Sequence, residues 1–180
     1  NAEACYEQVR AIFENELPGY DYEHIFCDNC SQDRTGEILR DLAGRDRRVK
    51  VILNARNFGP FRSMFNGICA AGGDATLLFL PADLKDPPEL IPQFVRQWEA
   101  GYEVVAGRRA RRKESWLLRW VRKRYYRMLA RMSDVELALD VGEFQLVDRK
   151  VVDALRQFED YYPYVRGMVA ACGFRTTYID

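Results

Sequence analysis

The chain has 180 residues, 48% of them hydrophobic and 30% charged, with a net charge of zero. That length makes one domain with a full core, and the composition excludes a disordered or fibrous protein. No run of about 18 apolar residues occurs, which excludes a membrane-spanning helix within these residues.

The charge is unevenly spread. Residues 108–131 hold 11 of the 27 basic residues and one of the 27 acidic residues, so this segment carries +10 and the rest of the chain −10. Such asymmetry suggests a surface for an anionic partner. Five cysteines at scattered positions do not make a disulfide framework. With one histidine, His24, the Cys27-Asp28-Asn29-Cys30 spacing does not read as a zinc site, and a reducing compartment is the simpler setting.

Residues 1–16 suit an amphipathic helix, with Cys5, Val9, Ile12 and Phe13 at helical spacing and Pro18-Gly19 as the stop. Residues 22–27 read as a strand that runs into Asp28-Asn29-Cys30-Ser31-Gln32-Asp33-Arg34-Thr35, and a helix follows from about Thr35 to Leu42. A carboxylate at the C-terminal end of a strand can accept hydrogen bonds from a base N–H or a ribose hydroxyl. Ser31 and Asp33 can fix the turn and Thr35 can cap the helix. The same residues can equally do no more than shape a turn. Residues 47–53 form the next strand, then a loop, Asn54 to Pro60, then a helix over 61–71. In that loop Arg56 or Asn57 can face a ligand, or the turn can simply require Gly59.

The stretch TLLFLPADLKDPPE, residues 76–89, organises the rest. Its apolar opening, residues 76–80, fits a strand buried on both faces, and Pro81 ends it because proline cannot donate to a ladder. Asp83 and Asp86 follow in a turn, and Pro87-Pro88 leads into a helix over 89–100. A short strand is expected over 103–106. Strands alternating with helices predict an α/β domain, a mostly parallel twisted sheet with helices on both faces. Ligands bind such sheets beyond the C-terminal ends of the strands.

Residues 107–112, Gly-Arg-Arg-Ala-Arg-Arg, close that strand with guanidinium groups, whose planar fork suits phosphate oxygens. A helix is expected over 115–132, with Trp116, Trp120, Tyr125 and Met128 on one side and Arg119, Lys123 and Arg127 beside them. It can lie in a membrane interface or pack on the core with a basic back. A helix over 151–158 and a strand over 173–179 complete the chain.

These loops resemble the motifs of family 2 glycosyltransferases, which have the GT-A fold, in the branch that transfers sugars to polyprenyl phosphates. The family's D-A-D-L-Q-D-P-P-E corresponds to Pro81-Ala82-Asp83-Leu84-Lys85-Asp86-Pro87-Pro88-Glu89. Its D-D-x-S-x-D-x-T corresponds to Asp28, Asn29, Ser31, Asp33 and Thr35, and its G-x-R-x-x-R to Gly107, Arg109 and Arg112. Its G-D-F-R-L corresponds to Gly142-Glu143-Phe144-Gln145-Leu146, and its Y-L-R-G to Tyr164-Val165-Arg166-Gly167. The pattern departs at Pro81, Lys85, Glu143 and Gln145.

The resemblance implies an inverting transfer of a sugar from a nucleoside diphosphate sugar to a polyprenyl phosphate. It places Asp28, Ser31, Asp33, Asn57, Ala82, Asp83 and Lys85 at the nucleotide sugar, and Arg109, Arg112 and Lys123 at the acceptor phosphate. Asp83 and Glu143 become the catalytic carboxylates, Glu143 as base or positioning group. Asp83 also becomes the ligand of Mg²⁺ or Mn²⁺. Two readings are open there. In one, Asp83 holds the metal and the diphosphate and water complete the shell. In the other, Lys85 supplies part of the missing positive charge. The resemblance further implies a single GT-A domain over 1–180, with a first strand ahead of it and membrane helices after it in longer relatives. Residues 108–132 would touch an anionic membrane, on its cytoplasmic face. The departures also fit a nucleotide-sugar-binding or partner-binding subunit that has lost turnover. Nucleic-acid binding would suit the basic segment but explain none of the aspartate loops, so no nucleic-acid partner is expected; an oligomer remains open.

Overall fold

The computed structural model describes residues 1–78, 80–108 and 141–179. The helices are α1 (Ala2–Asn15), α2 (Thr35–Arg45), α3 (Pro60–Ala70), α4 (Ile91–Glu99), α5 (Arg149–Leu155) and α6 (Val165–Ala171). The strands are β1 (His24–Asp28), β2 (Val49–Leu53), β3 (Ala75–Leu77), β4 (Val104–Arg108), β5 (Val141–Asp148) and β6 (Thr176–Ile179). A single 3₁₀ turn, Pro88–Leu90, leads into α4.

The strands form two sheets. β1 pairs in parallel with β2, and a second sheet has the order β3-β5-β4-β6. There β4 and β6 are parallel, whereas β5 runs antiparallel to both β3 and β4. Three strands of that sheet therefore share a direction and β5 alone is reversed. The sequence reading placed no strand over β5, because Gly142, Glu143 and Gln145 interrupt its apolar residues, and local pattern carries no strand direction.

Both faces of this sheet are covered. On one, Val105, Phe144 and Leu146 pack with Phe94 and Val95 of α4 and with Val9 and Ile12 of α1. The Phe94 and Phe144 ring centroids are 5.0 Å apart. On the other, Val104 and Val147 pack with Val151 and Leu155 of α5 and Met168 of α6. A third cluster joins α1 and α2 to the first sheet through Tyr6, Leu39, Leu42, Phe26 and Val49. The link from α2 to β2 is tied by Arg48, whose guanidinium binds Asp46 at 2.8 Å, while the Tyr6 hydroxyl donates to the same carboxylate at 2.9 Å. α3 approaches β1 so closely that a Cβ at Gly67 would stand 2.8 Å from the Cys27 sulfur.

The strand expected over 76–80 is shorter and less enclosed. β3 ends at Leu77, with one more ladder bond from the Leu78 N–H to the Gln145 carbonyl at 2.8 Å. All three of its residues are half-buried. One edge pairs with β5; the other borders a cavity of about 520 Å³ between the two sheets, lined by Ile25, Met64, Ile68, Thr76 and Leu78 among others. Tyr22 Oη, His24 Nδ1 and Thr76 Oγ1, all on residues of that lining, are buried without a hydrogen-bond partner. Burial without a partner pushes the His24 imidazole down to about 4, so the ring is neutral.

Candidate functional site

Two aspartate turns reach the same cavity. Asn29, just past β1, and Pro81 and Ala82, just past β3, are all part of its wall. The loop after β1 is held together from within. Asp28 is buried, and its carboxylate accepts from the Ser31 hydroxyl at 2.5 Å and the Ser31 N–H at 3.1 Å. Cys30 is held in a left-handed conformation at φ 63° by this turn. Asp33 accepts the Thr35 N–H at 2.9 Å, and its carboxyl is lowered, first by the Thr35 hydroxyl and then by that N–H. Asp33 therefore opens α2, with Thr35 as the first helical residue rather than its cap.

A chain of amides fixes this loop to its neighbour. Asn54 donates to the Asn29 side-chain oxygen at 3.1 Å and to Ser63 Oγ at 2.9 Å, and Asn29 donates to the Gly59 carbonyl at 3.3 Å. Asn57 accepts the Gly59 N–H at 2.8 Å. Gly59 needs its freedom, since its φ is 83° directly ahead of Pro60 at the start of α3. Asn57 thus helps to shape the turn. Beyond it, Arg62 lies 3.9 Å from the Tyr161 ring centroid and 5.4 Å from that of Phe58, joining this loop to the α5–α6 connection.

The turn after β3 is different. The Leu84 N–H bonds back to the Pro81 carbonyl at 2.9 Å, and Leu84 itself sits at φ 57°. A left-handed conformation for a branched, non-glycine residue costs about 1 kcal/mol or more. It folds Lys85 back over Asp83: the Lys85 N–H meets one carboxylate oxygen at 3.3 Å and its ammonium the other at 2.5 Å. The Asp83 carboxyl is lowered and the Lys85 ammonium raised, each mainly by the bond between them. Both are open to solvent, the Lys85 side chain by 78% and that of Asp83 by 39%. A hard divalent ion needs several oxygen ligands. At the positions matching the metal motif, Asp83 is already paired with an ammonium and Pro81 has no side-chain oxygen. Among the described residues no three His, Cys, Asp or Glu side chains gather as a metal group. Taken alone, these residues do not fit a divalent ion.

Glu143 stands on β5, not in a loop. The antiparallel register sets Leu77 opposite Leu146. The last described bond on that edge runs from the Leu78 N–H to the Gln145 carbonyl, two residues from Glu143. Burial pushes the Glu143 carboxyl up, against a smaller pull downward from Arg166. Arg166 donates to the Val141 carbonyl at 2.6 Å and, through Nε, to the Tyr164 hydroxyl at 2.9 Å. Arg108, opposite Val141 on β4, lies 4.7 Å from the Tyr178 ring centroid. One end of the sheet thus gathers Glu143, Arg166 and Arg108. Arg166 carried no assigned role in the sequence reading, since 23 residues separate it from Glu143; its signal was the Y-x-R-G pattern. Gln145, at the family's arginine position, is buried with its amide on the Gly142 carbonyl at 2.9 Å. Arg109, Arg112 and Lys123 lie outside the described residues, as does all of the basic segment after Arg108.

Residues 1–156 match the model of glycosyl transferase family 2. The chain is 40% identical over 176 residues to the uncharacterized glycosyltransferase YkcC of Bacillus subtilis, covering 97% of this chain and 54% of that protein. It is 31% identical to a prophage bactoprenol glucosyl transferase homolog of Escherichia coli and 30% identical to the bactoprenol glucosyl transferase of Shigella phage SfV. Each alignment covers 97% of this chain and 56% of the relative, so the chain spans about half the length of these proteins. Among solved structures, S. aureus TarS residues 1–349 superpose with a TM-score of 0.54 at 14% identity, covering 95% of this chain and 52% of that one. That likeness is one of fold, and it agrees with the expected GT-A architecture.

Proposed function

Since the chain belongs to glycosyl transferase family 2, we propose that it is the donor-binding catalytic domain of an inverting glycosyltransferase that moves a sugar from a nucleoside diphosphate sugar to a polyprenyl phosphate. The observation that carries this reading is the meeting of the β1 and β3 aspartate turns at one cavity, through Asn29, Pro81 and Ala82. The names of the bactoprenol relatives support the acceptor.

The acceptor's phosphate oxygen attacks the anomeric carbon from the side opposite the nucleotide. The bond from that carbon to the diphosphate breaks, and the nucleoside diphosphate leaves with the electron pair. A phosphate acceptor is already anionic, so no proton has to be removed from it. Charge then grows on the leaving diphosphate, and cations near it lower the barrier. Glu143, half-buried on β5, positions the acceptor or a sugar hydroxyl. Arg109, Arg112 and Lys123 hold the acceptor phosphate in this reading. Residues 108–132 rest on an anionic membrane at its cytoplasmic face. Among the described residues, no helix is long and apolar enough to cross a membrane. Divalent ions are common in the family, but no step is assigned to one here, because Asp83 is the single carboxylate at the matching positions.

Full-length protein in membranes, given labelled UDP-glucose and polyprenyl phosphate, should place label in the lipid phase with inverted anomeric configuration. Asp83→Ala and Glu143→Ala should each abolish it. Label released only as free sugar in every preparation would contradict the acceptor.

A further inference from the structure

We infer that Lys85 is a built-in cation of this site, binding the donor's diphosphate where a divalent ion would otherwise stand. The inference rests on the glycosyltransferase reading and deepens it. It begins with chemistry that differs from the family pattern at two positions: proline at 81 and lysine at 85. Proline removes an oxygen ligand, and lysine adds a positive charge. Each change alone would weaken a dication site; together they exchange one kind of cation for another.

The geometry makes the exchange specific. Lys85 does not point away along the surface. Its ammonium is 2.5 Å from the Asp83 carboxylate, and its own N–H faces the other oxygen of that group at 3.3 Å. The left-handed Leu84, at φ 57°, is what returns the lysine to Asp83. A dication on Asp83 would have to displace this ammonium and then bear its repulsion from close by. A diphosphate faces no such conflict. The Lys85 side chain is 78% exposed on a long flexible stem, so it can keep Asp83 at one side and offer its remaining N–H donors to phosphate oxygens. The turn opens at Pro81 and Ala82 onto the cavity wall that also holds Asn29. Asp83 then acts as a positioning residue, holding the ammonium at the place where leaving-group charge develops.

The test is calorimetric titration of UDP and of GDP into full-length protein, with Mn²⁺ and with chelator, for wild type and for Lys85→Gln, Lys85→Arg and Asp83→Asn. Mn²⁺ alone is titrated in parallel and followed by electron paramagnetic resonance. The inference expects nucleotide binding that survives chelator. It expects a loss of about tenfold in Lys85→Gln, equal to about 1.4 kcal/mol, with substantial recovery in Lys85→Arg. It expects no tight Mn²⁺ site in the wild type. Binding lost in chelator and restored by Mn²⁺, with Lys85→Gln no weaker than wild type, overturns the inference and leaves the glycosyltransferase reading standing. Wild-type protein that binds neither nucleotide under either condition overturns both.

Discussion

The aspartate turns at the ends of β1 and β3 reach the same cavity, through Asn29 and through Pro81 and Ala82, yet they are built in opposite ways. Asp28 is buried and its carboxylate is consumed by its own loop, through two bonds from Ser31. Asp83 is exposed, sits in a strained turn, and is held by one mobile lysine. A carboxylate whose acceptor sites are filled by backbone and hydroxyl donors is structural scaffold. One whose partner is a solvated ammonium can rearrange around a ligand at little cost, since exposed ion pairs contribute at most about 1 kcal/mol. The difference teaches that matching a motif does not fix the kind of work done. Asp28 braces its own loop beside Asn29, whereas Asp83 keeps a solvated partner that a ligand can displace.

The largest expected effect lies on the Asp83 side. Asp83→Ala should lower transfer by about 100-fold or more, while the unfolding midpoint stays within the small range of surface substitutions. A drop in stability comparable to the loss in activity would break the contrast. Asp28→Ala should do the reverse in kind, costing about 2 kcal/mol in denaturant unfolding because the Ser31 N–H and hydroxyl lose their acceptor. Wild-type stability with donor binding lost would show Asp28 to be a ligand group after all.

A third variant calibrates the structural side away from the site. Asp46 is held well below the usual carboxylate range, chiefly by hydrogen bonds from the Arg48 guanidinium. Its folded value lies below its unfolded one, so its contribution is present above the unfolded value and lost as pH falls through the folded one. Asp46→Asn should cost about 1–2 kcal/mol at neutral pH, and the gap to wild type should close in acid. The smallest effect belongs to Glu143, and its sign is opposite. Burial raises this carboxyl, so the penalty on the folded state begins as pH rises past the unfolded value, grows through the folded value and is present in full above it. Glu143→Gln should therefore raise the midpoint at neutral pH by about half a kcal/mol, allowing for the solvent that reaches the group. The gain should vanish below the ordinary carboxylate range. A pH-independent gain would mean packing, not charge, sets it.

Much of this was legible in the chain. Periodicity gave α1 within a residue at either end, and the α/β alternation was read from apolar runs divided by Gly, Pro and Asp turns. The aspartate turns were legible because carboxylates after apolar runs have few structural alternatives. What failed depended on partners distant in sequence. Residues 76–80 looked like a strand enclosed on both sides, but β3 ends at Leu77 and borders the cavity. The helix cap was expected at Thr35, but Arg34 holds the capping position and Asp33 accepts the Thr35 N–H, because an aspartate readily bonds the backbone two residues on.

By itself the sequence determined the order of elements up to β4, the family and the two substitutions at 81 and 85, since these need only residue type and spacing. Tertiary structure decided the reversed direction of β5, the nearness of the Arg166 charge to Glu143 and the direction in which Lys85 points. Strand polarity, long-range juxtaposition and side-chain orientation are set by packing between segments many residues apart, and no local pattern encodes them.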